Sequence, residues 1–128
     1  MKKILHTHHP RRQIKSFKFA FQGIFHAMLH EANFRVQLTI ALIALSLGIY
    51  LKISTTEWAI LTLSMGILLS AEMINTVIEN VMDALFKEHQ EVVKVIKDVS
   101  AGFVLISAVT ALINMILIFS QPLLLLVL

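Results

Sequence analysis

Residues 99–128 contain no ionisable side chain, and that stretch decides which solvent the chain can fold in. About 20 apolar residues are needed to cross the hydrocarbon core of a bilayer as a helix, which satisfies its own backbone groups where no water is present. A span is therefore expected over about residues 99–120, with Pro122 near its end. Two shorter uncharged stretches precede it, at residues 36–51 and 58–71. Each must borrow from its flanks to cross, with Tyr50 and Trp58 as interfacial anchors. With 57% hydrophobic residues in 128 positions, the chain reads as one all-α membrane domain over residues 1–128. Lipid tails are as apolar as Leu, so helices in a bilayer associate through close packing and polar contacts. Ser46, Gly48, Thr62, Ser64, Gly66, Gly102 and Ser107 are candidate close-approach positions, and a bundle this thin is expected to associate with copies of itself.

The charges are distributed unevenly. The first 35 residues hold seven of the eleven Lys and Arg residues, the segment 84–98 holds Lys87, Lys94 and Lys97, and the segment 52–57 holds Lys52 alone. Basic residues concentrate on the cytoplasmic side of membrane proteins, which places the N-terminus and the second loop there. Beside apolar spans, these cations favour anionic headgroups over nucleic acid. Residues 11–33 carry Ile14, Phe17, Phe21, Ile24, Phe25 and Met28 at helical spacing with Lys15, Lys18 and Gln22 between them, the pattern of an amphipathic helix lying in the interface. No small-residue cleavage site follows a compact apolar core, so a cleavable signal peptide is not expected. The absence of cysteine excludes a disulfide framework, a thiolate metal site and a thiol nucleophile.

The candidate chemistry lies directly after the second span. At about 100° per residue, Glu72, Asn75, Glu79 and Asp83 fall within roughly an 80° arc and form one polar stripe. Like charges at this spacing repel, and a carboxylate near hydrocarbon is costly unless it is paired, metal-bound or protonated. A solvated lower face with Glu72 and Asn75 as interhelical glue is the plainest account. The functional account is a divalent cation held by carboxylates, and Mg²⁺ suits because it prefers oxygen ligands and is commonly shared with substrate phosphates. Glu31 offers a further carboxylate at the entry to the first span. Gly23, Gly48, Gly66 and Gly102 are scattered and form no phosphate-binding glycine loop. Phosphates would need side-chain cations instead, and Arg12, Lys15, Lys94 and Lys97 are available.

The segment running from Glu72 through Asn75, Thr76 and Glu79 to Asp83 resembles the signature of the prokaryotic diacylglycerol kinase family: Glu, two apolar residues, Asn, Ser or Thr, two small or apolar residues, Glu and, four residues on, Asp. The resemblance extends to Arg12 through Phe17, to Gly23, to Glu31 through Arg35 and to Lys97 through Gly102, covering about residues 12–115. It implies a homotrimer of three-span subunits with an N-terminal surface helix, phosphorylating a lipid hydroxyl with MgATP at the cytoplasmic interface. Carried over by position, it implies Glu72 as general base in contact with the lipid, Asn75 and Asp83 as supporting polar residues, and Glu31 and Glu79 as metal ligands. Arg12 would lie near both ATP and lipid, and Phe19, Glu88, Gln90, Lys97 and Asp98 would contribute to the nucleotide site. Many relatives have His where this chain has Gln90, a departure from the family pattern in that loop. The family includes undecaprenol kinases and diacylglycerol kinases, and the choices at Lys15-Ser16-Phe17, Glu57-Trp58, Asn75-Thr76 and Ala101-Gly102 are more similar to the undecaprenol branch.

Two other classes of protein fit less of the sequence. A small proton-coupled transporter would need its acidic residue deep in the bundle, whereas these carboxylates run outward. A non-catalytic adaptor leaves two turns of stacked acid without a purpose. His26 and His30, one turn apart, lack the HExxH arrangement of a zinc site. They, the group His6, His8 and His9, and the Phe residues of the first helix are read as surface and membrane contacts.

Overall fold

The computed structural model describes the backbone of residues 10–127 and the side chains of residues 14–125. The expected role of Arg12 and the group His6, His8 and His9 lie outside the described side chains. Four helices follow one another: α1 (Pro10–His30), α2 (Ala32–Leu51), α3 (Thr55–Leu85) and α4 (Glu91–Val127). The last three are long and apolar enough to cross a membrane, and α1 is the amphipathic surface helix. Phe17, Phe19, Phe21 and Phe25 on α1 are all exposed. The chain is thus an all-α, multi-pass membrane protein.

The helices are longer than the uncharged stretches suggest. The second span, expected over residues 58–71, lies within a helix that begins at Thr55 and runs unbroken to Leu85. The third begins at Glu91, eight residues before the expected boundary. Both helices leave the apolar layer with their hydrogen bonding intact, because nothing in the polar segments breaks it. α1 ends before residue 33, where the sequence pattern places its end. Glu31 adopts an extended conformation, φ −101° and ψ 115°, and separates α1 from α2. Arg35 secures this corner: its Nη1 donates to the carbonyl of Leu29 at 2.9 Å and to that of Met28 at 3.4 Å, satisfying acceptors that the end of α1 would leave open.

α3 is the central helix, packed against α2 on one side and more extensively against α4 on the other. Its buried face carries Leu61, Ser64, Met65, Leu68, Ala71, Glu72, Asn75 and Thr76. Ala41 and Ala44 of α2 and Ala111, Ile118 and Phe119 of α4 complete the apolar core. Side chains facing outward from α2 and α4, among them Leu42, Ile43, Leu105, Ile106 and Leu117, suit a lipid solvent. Asn114 Nδ2 donates to Ser64 Oγ at 2.7 Å, satisfying both polar groups inside the bundle. Among the small residues expected at close approaches, Gly48, Ser64 and Ser107 are buried, while Ser46, Thr62 and Gly66 face outward.

The α2–α3 turn is fixed from both ends. Lys52 takes a left-handed conformation at φ 53° and closes α2. Ser54 then caps α3: its Oγ accepts from the Glu57 amide at 3.3 Å, and the Glu57 carboxylate accepts from the Ser54 amide at 2.7 Å. Gly48 lets Trp58 fold back over this turn. A Cβ at position 48 would lie 3.0 Å from Ile53 Cδ1 and 3.1 Å from the Trp58 ring. Gly48→Ala is therefore expected to destabilise the protein by about 1–3 kcal/mol through overpacking. Thermal unfolding in detergent micelles measures this, and an unchanged melting temperature would show that the turn yields freely.

Candidate active site

The geometry of α3 carries the polar stripe out of the membrane. Glu72 is 17 residues beyond Thr55, a rise of about 26 Å at 1.5 Å per residue, against a hydrocarbon core of about 30 Å. Asp83 lies about 16 Å further along the axis. Burial falls along the same direction. Glu72 is 2% exposed and Asn75 7%, Glu79 is half-buried, and the Asp83 side chain is 66% exposed.

Each member of the stripe has a partner. Gln37 on α2 donates through Nε2 to Glu72 Oε2 at 2.7 Å. Ser100 on α4 donates through Oγ to Asn75 Oδ1, which turns the Asn75 amide so that Nδ2 donates to Glu79 Oε1 at 3.1 Å. One turn further, Lys97 Nζ pairs with both oxygens of Asp83 at 2.9 and 3.1 Å. α4 thus answers the lower stripe with a hydroxyl and a cation, and α2 answers its buried end with an amide. Asp83 is thereby ion-paired, while Glu72 and Glu79 each accept one neutral amide N–H.

The residues expected to form the site are brought together in part. Glu72, Asn75, Glu79, Asp83 and Lys97 are joined through α3 and its neighbours. Glu88, Gln90, Lys94 and Asp98 line a polar cleft with Asp83 and Lys97 where the α3–α4 connection folds back. His89 in that connection stands 3.6 Å from Glu91. Glu31 is half-buried at the α1–α2 corner, and its side chain makes no capping hydrogen bond. Phe19 is 65% exposed and lines neither the polar cleft nor the groove beside Lys18, Phe21 and Phe25. Gln37 and Ser100, to which the sequence reading gave no role, are the residues that orient Glu72 and Asn75. On the outward side of α3, an apolar groove shared with α4 is lined by Gly66, Ile67, Ser70, Ala71, Ile74 and Phe103, and Glu72 is not part of that lining.

A buried carboxylate at the inner end of a stripe that runs out to a polar cleft can accept a proton from an alcohol whose chain remains in lipid. Residues 18–119 match the family model described as prokaryotic diacylglycerol kinase. The chain belongs to the prokaryotic diacylglycerol kinase family. It is similar to the undecaprenol kinase of Bacillus subtilis (strain 168), with 35% identity over 114 residues that cover 89% of this chain and 93% of that one. It is also similar to the diacylglycerol kinase of Escherichia coli (strain K12), with 28% identity over 103 residues covering 80% of this chain and 84% of that one. The diacylglycerol kinase of Synechocystis is 29% identical over 99 residues, 77% of this chain and 57% of that one. Membership of the prokaryotic diacylglycerol kinase family makes the chain a lipid kinase acting on a membrane lipid alcohol.

Proposed function

We propose that the protein is an ATP- and Mg²⁺-dependent kinase that phosphorylates the hydroxyl of undecaprenol. It works at the cytoplasmic face of the bacterial plasma membrane, as a homotrimer of single-domain subunits. The observation that carries this reading is the burial of Glu72 at the inner end of the outward-running polar stripe, about 26 Å along α3 from its start. A lipid hydroxyl and a nucleotide phosphate need such a place to meet.

Phosphoryl transfer depends on in-line positioning and on charge neutralisation more than on covalent help. In the proposed reaction the hydroxyl proton passes to the Glu72 carboxylate while the lipid oxygen bonds to the γ-phosphorus. The bond from that phosphorus to the β–γ bridging oxygen breaks, and ADP departs. Asn75 holds the Glu79 carboxylate in place, and Asp83 fixes Lys97 at the mouth of the cleft where the nucleotide would lie. Arg12, Phe19, Glu88, Gln90 and Asp98 are assigned to the nucleotide site on the family resemblance, with Arg12 also beside the lipid.

Among the described residues no group of three or more His, Asp or Glu side chains could hold a metal ion. Mg²⁺ does not require such a group, since one or two carboxylates plus substrate phosphates commonly complete its shell. The donors fit that form of binding: Glu79 keeps a second carboxylate oxygen beyond the one that accepts from Asn75, and the Glu31 side chain is not used in capping. Glu79 and Glu31 would hold the ion. Bound with ATP, it would neutralise charge on the transferring phosphoryl group.

The similarity to a protein named undecaprenol kinase over 93% of that protein's length supports undecaprenol. Two relatives named diacylglycerol kinase support the second reading, in which the product is phosphatidic acid. The experiment is ATP- and Mg²⁺-dependent phosphorylation in mixed micelles, with each lipid offered separately and in competition. Undecaprenol is expected to be turned over preferentially. A preference for diacylglycerol would replace the first reading by the second, and lipid-independent ATP consumption would contradict both.

A further inference from the structure

Gln37 is the only amide side chain in the apolar stretch 36–51, and it is placed against the most buried carboxylate of the protein. Glu72 is 2% exposed, and its Oε2 accepts from Gln37 Nε2 at 2.7 Å. An ionised carboxylate only accepts hydrogen bonds, so the amide must present its NH₂ side and direct its carbonyl away. That carbonyl is buried, and Gln37 Oε1 has no hydrogen-bond partner among the described residues. An apolar side chain of similar length would avoid leaving an acceptor unsatisfied. The arrangement keeps an amide where packing alone favours Met or Leu, and what the amide supplies is one directed N–H on one oxygen of Glu72.

We propose that Gln37 is a positioning residue of the transfer reaction. It fixes the Glu72 carboxylate through Oε2 and leaves Oε1 to take the proton of the lipid hydroxyl. The inference rests on the reading of Glu72 as the base. Gln37 reaches Glu72 from a different helix, so its contribution is the aim of the carboxylate and not the binding of either substrate. Misplacement of a reacting group by about 1 Å can cost about 100-fold in rate.

The test compares the full-length wild type with Gln37→Met, Glu72→Gln and the double variant, each in mixed micelles with ATP, Mg²⁺ and the preferred lipid. Gln37→Met is expected to lower kcat about 10- to 100-fold, with KM for ATP and for lipid within about twofold of wild type. The double variant is expected to be no slower than Glu72→Gln alone, because residues acting through one group do not contribute additively. Gln37→Asn keeps the amide but is one methylene too short to reach, and it is expected to reproduce the kcat loss if Gln37→Met fails to fold. Wild-type kcat in a folded position-37 variant overturns the inference. So does a loss that recurs in full on top of Glu72→Gln, or one that falls on KM alone. If Glu72→Gln itself retains full turnover, or the wild type phosphorylates no lipid, the reading beneath the inference fails and the inference falls with it.

Discussion

Glu72→Gln is expected to lower kcat for lipid phosphorylation by about two to four orders of magnitude, the usual contribution of a positioned general base, while leaving the protein at least as stable as wild type. The two halves of this expectation have one cause. Glu72 is almost fully buried, about 26 Å along α3 from its start, where a carboxylate is costly. A neutral amide of the same shape removes that cost, and its carbonyl oxygen can still accept from Gln37 Nε2. A residue kept only to join α2 to α3 would serve as well in the neutral form, so activity and stability should separate. Turnover in mixed micelles and thermal unfolding in the same detergent measure the two sides. Full turnover by a folded Glu72→Gln protein would remove Glu72 from the role of base. A large loss of stability would instead make the ionised carboxylate part of what holds the bundle together.

The stripe itself was legible because its logic is local. Helical periodicity puts Glu72, Asn75, Glu79 and Asp83 on one face whatever α3 packs against, and the structure keeps them there. Helix ends were less legible because they were read from charge. Lys97 and Asp98 mark the edge of the apolar layer, yet a helix can continue into water, and α4 starts at Glu91. The start of α3 did carry a sequence signal: Ser54-Thr55-Thr56-Glu57 has the spacing of a capping box, which places the first helical residue at Thr55 instead of Trp58. The break at Glu31 has no such signal, since neither Gly nor Pro stands there. It depends on Arg35 reaching back to the carbonyls of α1, a contact that arises only once the corner forms.

The same distinction separates the acids of the site from the residues that aim them. Glu72 and Glu79 announce themselves by charge in an apolar neighbourhood. Gln37 and Ser100 carry no charge and stand 35 and 25 residues from their partners, so nothing in their local pattern points to Glu72 or Asn75. The available hint was a lone amide in an otherwise apolar span, which must find a partner in a bilayer. Lys97 illustrates a different limit. Its residue type suits a phosphate, and the structure engages it with Asp83, so the pair joins two residues that the sequence could assign only separate duties.

The role of Glu79 is tested by a substitution that preserves its only observed hydrogen bond. Glu79→Gln retains an acceptor for Asn75 Nδ2, so the chain from Ser100 through Asn75 stays intact while the negative charge is lost. The folded state should tolerate the change. Asp83 lies one turn away, and relieving the like-charge pair contributes about 0.2–0.5 kcal/mol in favour of the variant. Catalysis should not tolerate it, because an electrostatic contact aimed at developing charge in a partly dry site is worth about two to three orders of magnitude in rate. The expected result is a kcat lower by that factor together with at least about a tenfold rise in the Mg²⁺ concentration giving half-maximal turnover, read from Mg²⁺ titrations at saturating ATP and lipid. The second number separates a ligand from a bystander. A fall in kcat with the wild-type Mg²⁺ dependence would leave Glu79 as a charge that orients Asn75. A wild-type kcat would take it out of the site and return the lower stripe to a solvated helical face.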